Sequence, residues 1–234
     1  GPFLDEQACS SFIGRWNIPI KHCCTLGELA LYFTATKISR LHIDIIKVQH
    51  YNRTQTALHD FFFTPSSPAI QNIQTALFYP GTGLLEGINI DEGRGTLKPF
   101  QQCGAPWINA KELQQLLQQK NLPGLSVTAT SYTARAGQYA NKTCYGVELH
   151  ISNEKEFMAV QTGIVLLQCI QQLYPQHIAE RLYTTNANPT GKGHLNKLLG
   201  INNAFQLLQT GQPVVTDIKE EWTGKINAFL LYSL

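Results

Sequence analysis

Apolar residues recur along this chain with two spacings, one helical and one of strands. From Leu26 to about Lys37 they fall at 26, 29, 30 and 33, which lines one helix face. Thr25 and Glu28 stand three apart at its start, predicting a capping box in which each side chain takes the other's backbone N–H. A second helix is predicted from Ala110 to about Lys120, capped by Asn109 and stopped by Asn121-Leu-Pro-Gly124. The longest runs from about Asn153 to Tyr174, with Phe157, Val160, Ile164, Leu167 and Ile170 as its core stripe and Pro175 as its end. From His194 onward, LNKLLG, NAFQLLQTG and PVVTDIKEEWTGKINAFLLYSL read as further helical segments rich in core residues.

Three stretches read as strands: Leu41–Val48, Val127–Thr130 and Cys144–Ile151. In the last, Tyr145, Val147, Leu149 and Ile151 share one face, and Gly146, Glu148 and His150 the other. Glu148 and His150 are expected to mark a solvated sheet face. Residues 64–74 follow the aromatic run Phe61-Phe62-Phe63 and are Pro- and Ser-rich, the pattern of a linker. The first 63 residues offer one helix and one strand, too little to bury a core alone. They are expected to lean on the rest of the chain or on another segment.

Composition narrows the function classes. With 234 residues, 43% of them hydrophobic and 15% charged, the chain is ordinary globular protein. A net charge of +2 gives no electrostatic case for nucleic acid. No apolar run approaches the roughly 20 residues of a membrane span, and the start, Gly1-Pro-Phe-Leu-Asp5, has no signal-peptide pattern. The six cysteines show no metal-ligand spacing, so thiols rather than a zinc site are expected. Walker A, GxGxxG, HExxH and GxSxG are all absent, and no cofactor is expected.

Candidate chemistry concentrates in one stretch, Glu86-Gly-Ile-Asn-Ile-Asp-Glu-Gly-Arg-Gly-Thr96. Glycosidases use two carboxyl groups about 5–9.5 Å apart. Fully extended, Glu86 and Glu92 would sit about 20 Å apart at roughly 3.3 Å per residue. Either the loop folds back at its glycines or the second carboxylate comes from elsewhere. A purely structural turn, with Arg94 tied to Glu92 or Asp91, is the alternative. His22, just before the first helix cap, reads as a site residue or as a satisfied structural histidine.

SFIGRWNIPIKHCCTLGELA, YPGTGLLEGINIDEGRGTLKPF, GAPWI, CYGVELHIS and QQLYP, in that order, resemble the bacterial YbbC/NamZ family of exo-β-N-acetylmuramidases. That resemblance implies an α/β fold. Residues 1–70 would be the last helix and strand of a Rossmann-like amino-terminal domain. Residues 75–234 would be a carboxy-terminal domain with a mixed sheet and packed helices. It also implies a peptidoglycan-processing hydrolase, periplasmic or secreted, that removes N-acetylmuramic acid from muropeptides. Glu92 would be catalytic, with Arg94, Asn89, Glu86, His22 and Trp107 binding substrate. Arg94 would hold the lactyl carboxylate, and Trp107 would stack on a sugar or in the core. The proton donor would be Glu92 or a carboxyl group of the missing amino-terminal domain. Cys23, Ala69, Ile88 and Leu97 replace the family's usual Gly, Asn, Thr and Thr. These losses favour a second reading, a non-catalytic remnant or saccharide-binding module.

Overall fold

A computed structural model describes residues 1–53, 63–186, 188–214 and 217–232. Phe61 and Phe62 of the aromatic run lie outside the described residues, as do Val215, Thr216, Ser233 and Leu234 of the last helical segment.

The first helix, α1 (Leu26–Thr36), starts on the expected capping box. Glu28 Oε2 accepts from the Thr25 N–H at 2.7 Å, and the Glu28 N–H donates back to Thr25 Oγ1. The second, α2 (Ile73–Thr82), was hidden from the sequence by Pro80 and Gly81 inside it. A 3-10 turn, Gly83–Gly87, continues it. The segment expected as a linker therefore ends inside a helix, capped by Asn72 on the Thr75 N–H at 2.9 Å. Gly81 is there because α2 crosses α4 (Ala159–Leu173) at backbone contact. A Cβ at Gly81 would lie 1.8 Å from the Ala159 carbonyl oxygen, and one at Gly163 would lie 2.1 Å from that of Gly81.

Strand β1 (Gln102–Ala105) precedes α3 (Ala110–Gln119), β2 (Leu125–Thr133) and β3 (Thr143–Ile151). The sheet order is β1-β3-β2, with Gly104 opposite Gly146 and Val127 opposite Leu149. Both pairings are antiparallel, so the α/β class holds while the sheet is antiparallel rather than mixed. β1 went unread because four residues centred on Cys103-Gly104 carry no alternation; pairing with β3 makes it a strand. On the open face Glu148 pairs with Lys98 and lies 3.3 Å from His150, as a solvated face requires.

Residues 41–48 form no strand. Ile43 and Ile45 turn inward while Ile46 and Val48 are exposed, so the alternation survives, but no neighbouring strand among the described residues pairs with it. The long helix starts at Ala159 rather than Asn153, because the Asn153 side chain closes a turn on the Lys155 N–H. The tail gives α5 (His194–Leu199), α6 (Ala204–Gln209) and α7 (Lys219–Ile226).

Two apolar clusters hold these elements. The larger joins α2, the sheet, α3, α4, α5 and α6 around Phe78, Leu85, Val147, Leu167 and Leu195. The smaller packs Leu29 and Tyr32 of α1 on Trp222 and Ile226 of α7. The opening segment therefore leans on the end of the same chain, reinforced by Trp222 Nε1 donating to the His22 carbonyl at 2.8 Å.

Candidate active site

The acidic stretch folds back on itself. Asp91 and Gly104 exchange both backbone hydrogen bonds, at 2.9 and 3.0 Å, which lays the loop along β1. Gly93 and Gly95 then take φ of 72° and 74°, a reversal that other residues enter only under strain. The reversal swings Arg94 over the face of Phe100, 4.8 Å from the ring centre, and toward two carboxylates at once. Its Nε donates to Glu92 Oε1 at 3.0 Å, and its Nη2 pairs closely with Glu86. Glu86 and Glu92, about 20 Å apart if extended, thus meet on one guanidinium.

The sequence did not single out Arg181. Its backbone N–H donates to the Gly87 carbonyl at 3.0 Å, and its Nη1 stands 3.4 Å from Glu92 Oε2. Asn89 sets this position. Its Nδ2 donates to the His177 carbonyl and its Oδ1 accepts from the Ala179 N–H, both at 2.8 Å. With its amide occupied by backbone, Asn89 clamps the segment that carries Arg181. Trp107 supports the clamp from behind: its Nε1 donates to the Tyr139 hydroxyl, which donates to the Asn89 carbonyl, each at 3.0 Å. The Trp107 ring stacks on His177 and packs against the core, outside the recess.

Ile90, Asp91, Glu92, Arg94, Ala136, Gly137, Gln138 and Arg181 surround a recess with about 30 Å³ of free volume. At roughly 10–15 Å³ per water-sized group, that is room for a substituent and not for a sugar ring. Glu92 is only 4% exposed, whereas the Arg94 side chain reaches solvent. Burial raises the Glu92 carboxyl above its ordinary range; Arg181 opposes the shift and Glu86 adds to it. Burial also raises Asp91, against the hydrogen bond from Tyr132 and the Gly93 N–H.

His194, at the start of α5, also belongs to this cluster and was also missed. It stacks on Tyr183 with ring centres 4.4 Å apart, and its Nε2 is buried with no hydrogen-bond partner. Burial lowers its pKa, while Glu86 pulls the other way. His22 lies elsewhere. Its Nδ1 accepts from the Cys24 N–H at 3.1 Å, and it lines a separate cavity of about 280 Å³ with Trp16 and Lys197–Gly200. The structure thus gathers Glu86, Glu92 and Arg94, places Asn89 and Trp107 behind them, and leaves His22 out. Among the described residues, no group of three or more His, Cys, Asp or Glu side chains could hold a metal ion.

Two of the four departures from the family pattern have a structural reading. Cys23 has φ 55°, the conformation glycine enters freely, so the usual Gly fits this position better. Ile88 is fully buried in the larger core, where an ethyl group in place of a hydroxyl adds apolar contact and leaves no buried hydroxyl to pair. Leu97 is almost wholly exposed, and nothing in the structure explains it or Ala69.

Comparison with known proteins gives a consistent picture. The family model for the N-terminal part of exo-beta-N-acetylmuramidase NamZ matches residues 1–74, and the model for its C-terminal part matches residues 77–232. The peptidoglycan beta-N-acetylmuramidase NamZ of Bacillus subtilis (strain 168) is 37% identical over 181 residues. The aligned region is 75% of this chain and 42% of that relative, so the chain spans well under two thirds of its length. Two crystal structures of DUF1343 family proteins from Bacteroides fragilis superpose with TM-scores of 0.81 and 0.67, at 20% and 23% identity. They cover 100% and 99% of this chain, which matches 62% of each, and at that identity they show a shared fold. With family models matching nearly its whole length, this chain belongs to the NamZ exo-beta-N-acetylmuramidase family.

Proposed function

We propose that this chain forms one wall of a muropeptide-cleaving site and that Glu92 donates the proton to the departing glycosidic oxygen. The observation that carries this reading is a carboxyl group buried between two arginines, facing a recess, and held above its usual pKa by burial. Burial of this kind favours the protonated form of a carboxyl group, the form that glycoside hydrolysis asks of its acid. Glu86 holds Arg94 in place and thereby sets the position of Glu92. The sugar ring lies across the mouth of the recess, because the recess admits only a substituent.

The division at residues 70–75 belongs to the same proposal: residues 1–70 as the end of an amino-terminal Rossmann-like domain, 75–234 as the carboxy-terminal domain. The meeting of the two family matches between residues 74 and 77 supports it, and the smaller apolar cluster joins the two parts where α1 packs on α7. The unpaired alternation at 41–48 fits a strand whose sheet is completed by chain that the longer relatives possess.

Turnover of a chromogenic N-acetylmuramic acid glycoside tests the reading. Release of chromophore that disappears in Glu92→Gln supports it. Binding of muropeptides without turnover, unchanged in Glu92→Gln, supports instead the saccharide-binding module, a reading favoured by the closed Glu86–Arg94–Glu92 ion cluster.

A further inference from the structure

The two arginines of the recess are not equivalent. Arg94 has two donors committed to two carboxylates and its face laid on Phe100. Among the described residues Arg181 makes one side-chain ion pair, the long 3.4 Å approach of Nη1 to Glu92 Oε2, although its guanidinium carries five N–H donors. Gly137 opens space beside it: a Cβ there would come within 3.7 Å of Arg181 Nη2, and no other atom would lie within 4 Å. The free volume, about 30 Å³, suits the two oxygens of a carboxylate.

We infer that Arg181, and not Arg94, receives the substrate's carboxylate, exchanging its loose contact with Glu92 for that anion while Glu92 takes up a proton from solvent. The inference rests on the muramic-acid reading above and reassigns the residue that selects for the lactyl group. Its logic is electrostatic. An anion placed beside Glu92 and drawing on the same guanidinium makes a charged Glu92 costlier, so the carboxyl group protonates. Asp91 does not stand in the way, since its Oδ1 is already held by the Tyr132 hydroxyl at 2.8 Å and the Gly93 N–H at 2.9 Å. The proton gained on binding is the one the departing oxygen needs. The substituent that distinguishes muramic acid from glucosamine thus loads the acid, and an uncharged sugar leaves it unloaded. Arg94 acts as a positioning residue that fixes Glu86 and Glu92.

The test compares the methyl β-glycosides of N-acetylmuramic acid and N-acetylglucosamine, which differ in the lactyl ether. Each is titrated into the chain by calorimetry in two buffers of different ionisation enthalpy, at a pH above the ordinary glutamate range. The wild type is expected to bind the muramic acid glycoside roughly tenfold or more tighter, with net proton uptake seen for that ligand alone. Arg181→Gln should abolish both the preference and the uptake, bringing muramic acid binding down to the level of glucosamine binding. Arg181→Lys should keep part of each, and it serves if the glutamine variant misfolds. Arg94→Gln should weaken both ligands together. Preference and uptake that persist in Arg181→Gln, or that vanish only in Arg94→Gln, overturn this inference and leave the site reading intact. Failure of the wild type to bind either glycoside overturns both.

Discussion

Among the described residues, two clusters pair buried glutamates with arginine, and they are built for opposite ends. Glu28, wholly buried at the start of α1, takes the Thr25 N–H at 2.7 Å, the Leu231 N–H at 2.9 Å and the Arg53 guanidinium. Burial opposes its charge, yet these hydrogen bonds together outweigh it and hold the carboxyl below its ordinary pKa. Glu92 is also buried, but its side-chain partners are two arginines, one shared with Glu86 and one distant, and desolvation wins. The balance between desolvation and the donors around a buried carboxylate, and not the mere presence of an arginine, decides whether it is a bolt or an acid.

The largest expected effect that could break this contrast comes from Glu28→Gln. It leaves Arg53 facing a neutral amide in a dry site and unties α1 from the chain's end, so urea denaturation should show a loss of about 3–5 kcal/mol. Glu92→Gln should cost under about 1 kcal/mol, because burial already disfavours the charge it removes. A cost for Glu92→Gln equal to that of Glu28→Gln would erase the distinction.

Acid and base unfolding sharpen the contrast further. The depressed Glu28 pKa contributes stability above the unfolded glutamate value of 4.5, lost as pH falls through the folded value. The raised Glu92 pKa has the reverse sign: its contribution is complete below 4.5 and is lost as pH rises through the folded value. Glu92→Gln should therefore lessen the decline in stability on the alkaline side of 4.5, and Glu28→Gln the decline on the acid side. His194, with its pKa lowered by burial, adds a loss of stability as pH falls below 6.5. His194→Phe should flatten that slope without abolishing it, since the lowered pKa of His22 acts in the same direction. An unchanged slope would show that His194 is not held neutral by the fold. The smallest effect belongs to Cys23. Relieving its φ of 55° by Cys23→Gly should stabilise the chain by about 1 kcal/mol, read as a shifted urea midpoint.

What the sequence made legible was local. The Thr25–Glu28 box, the Asn109 cap, the stripe of α4 and the alternation of β3 each follow from neighbours within a few residues. The acidic loop was also visible, because glycines and charges crowd into it, although its fold-back onto Arg94 left two solutions open. Helix α2 was not legible: Pro80 and Gly81 argue against a helix, and only the backbone crossing with Gly163 explains why Gly81 is needed. Residues 41–48 erred the other way, since alternation predicts a face but cannot supply a partner strand. Arg181 and His194 carry no motif. Arg181 reaches Glu92 through the Asn89 clamp, and His194 comes near Glu86 and Arg181 through the packing of α5 on the turn at Gly87, where a Cβ would lie 2.8 Å from Leu195. The one sequence signal for Arg181 was the charged pair Glu180-Arg181 soon after the helix stop at Pro175.

The most direct measurement is a carbon-13 NMR titration of the side-chain carboxyl groups of Glu28 and Glu92 in a single sample, assigned with Glu28→Gln and Glu92→Gln. The account predicts that Glu28 titrates below 4.5 and Glu92 above it. Coincident midpoints, or Glu92 as the more acidic of the two, would contradict it.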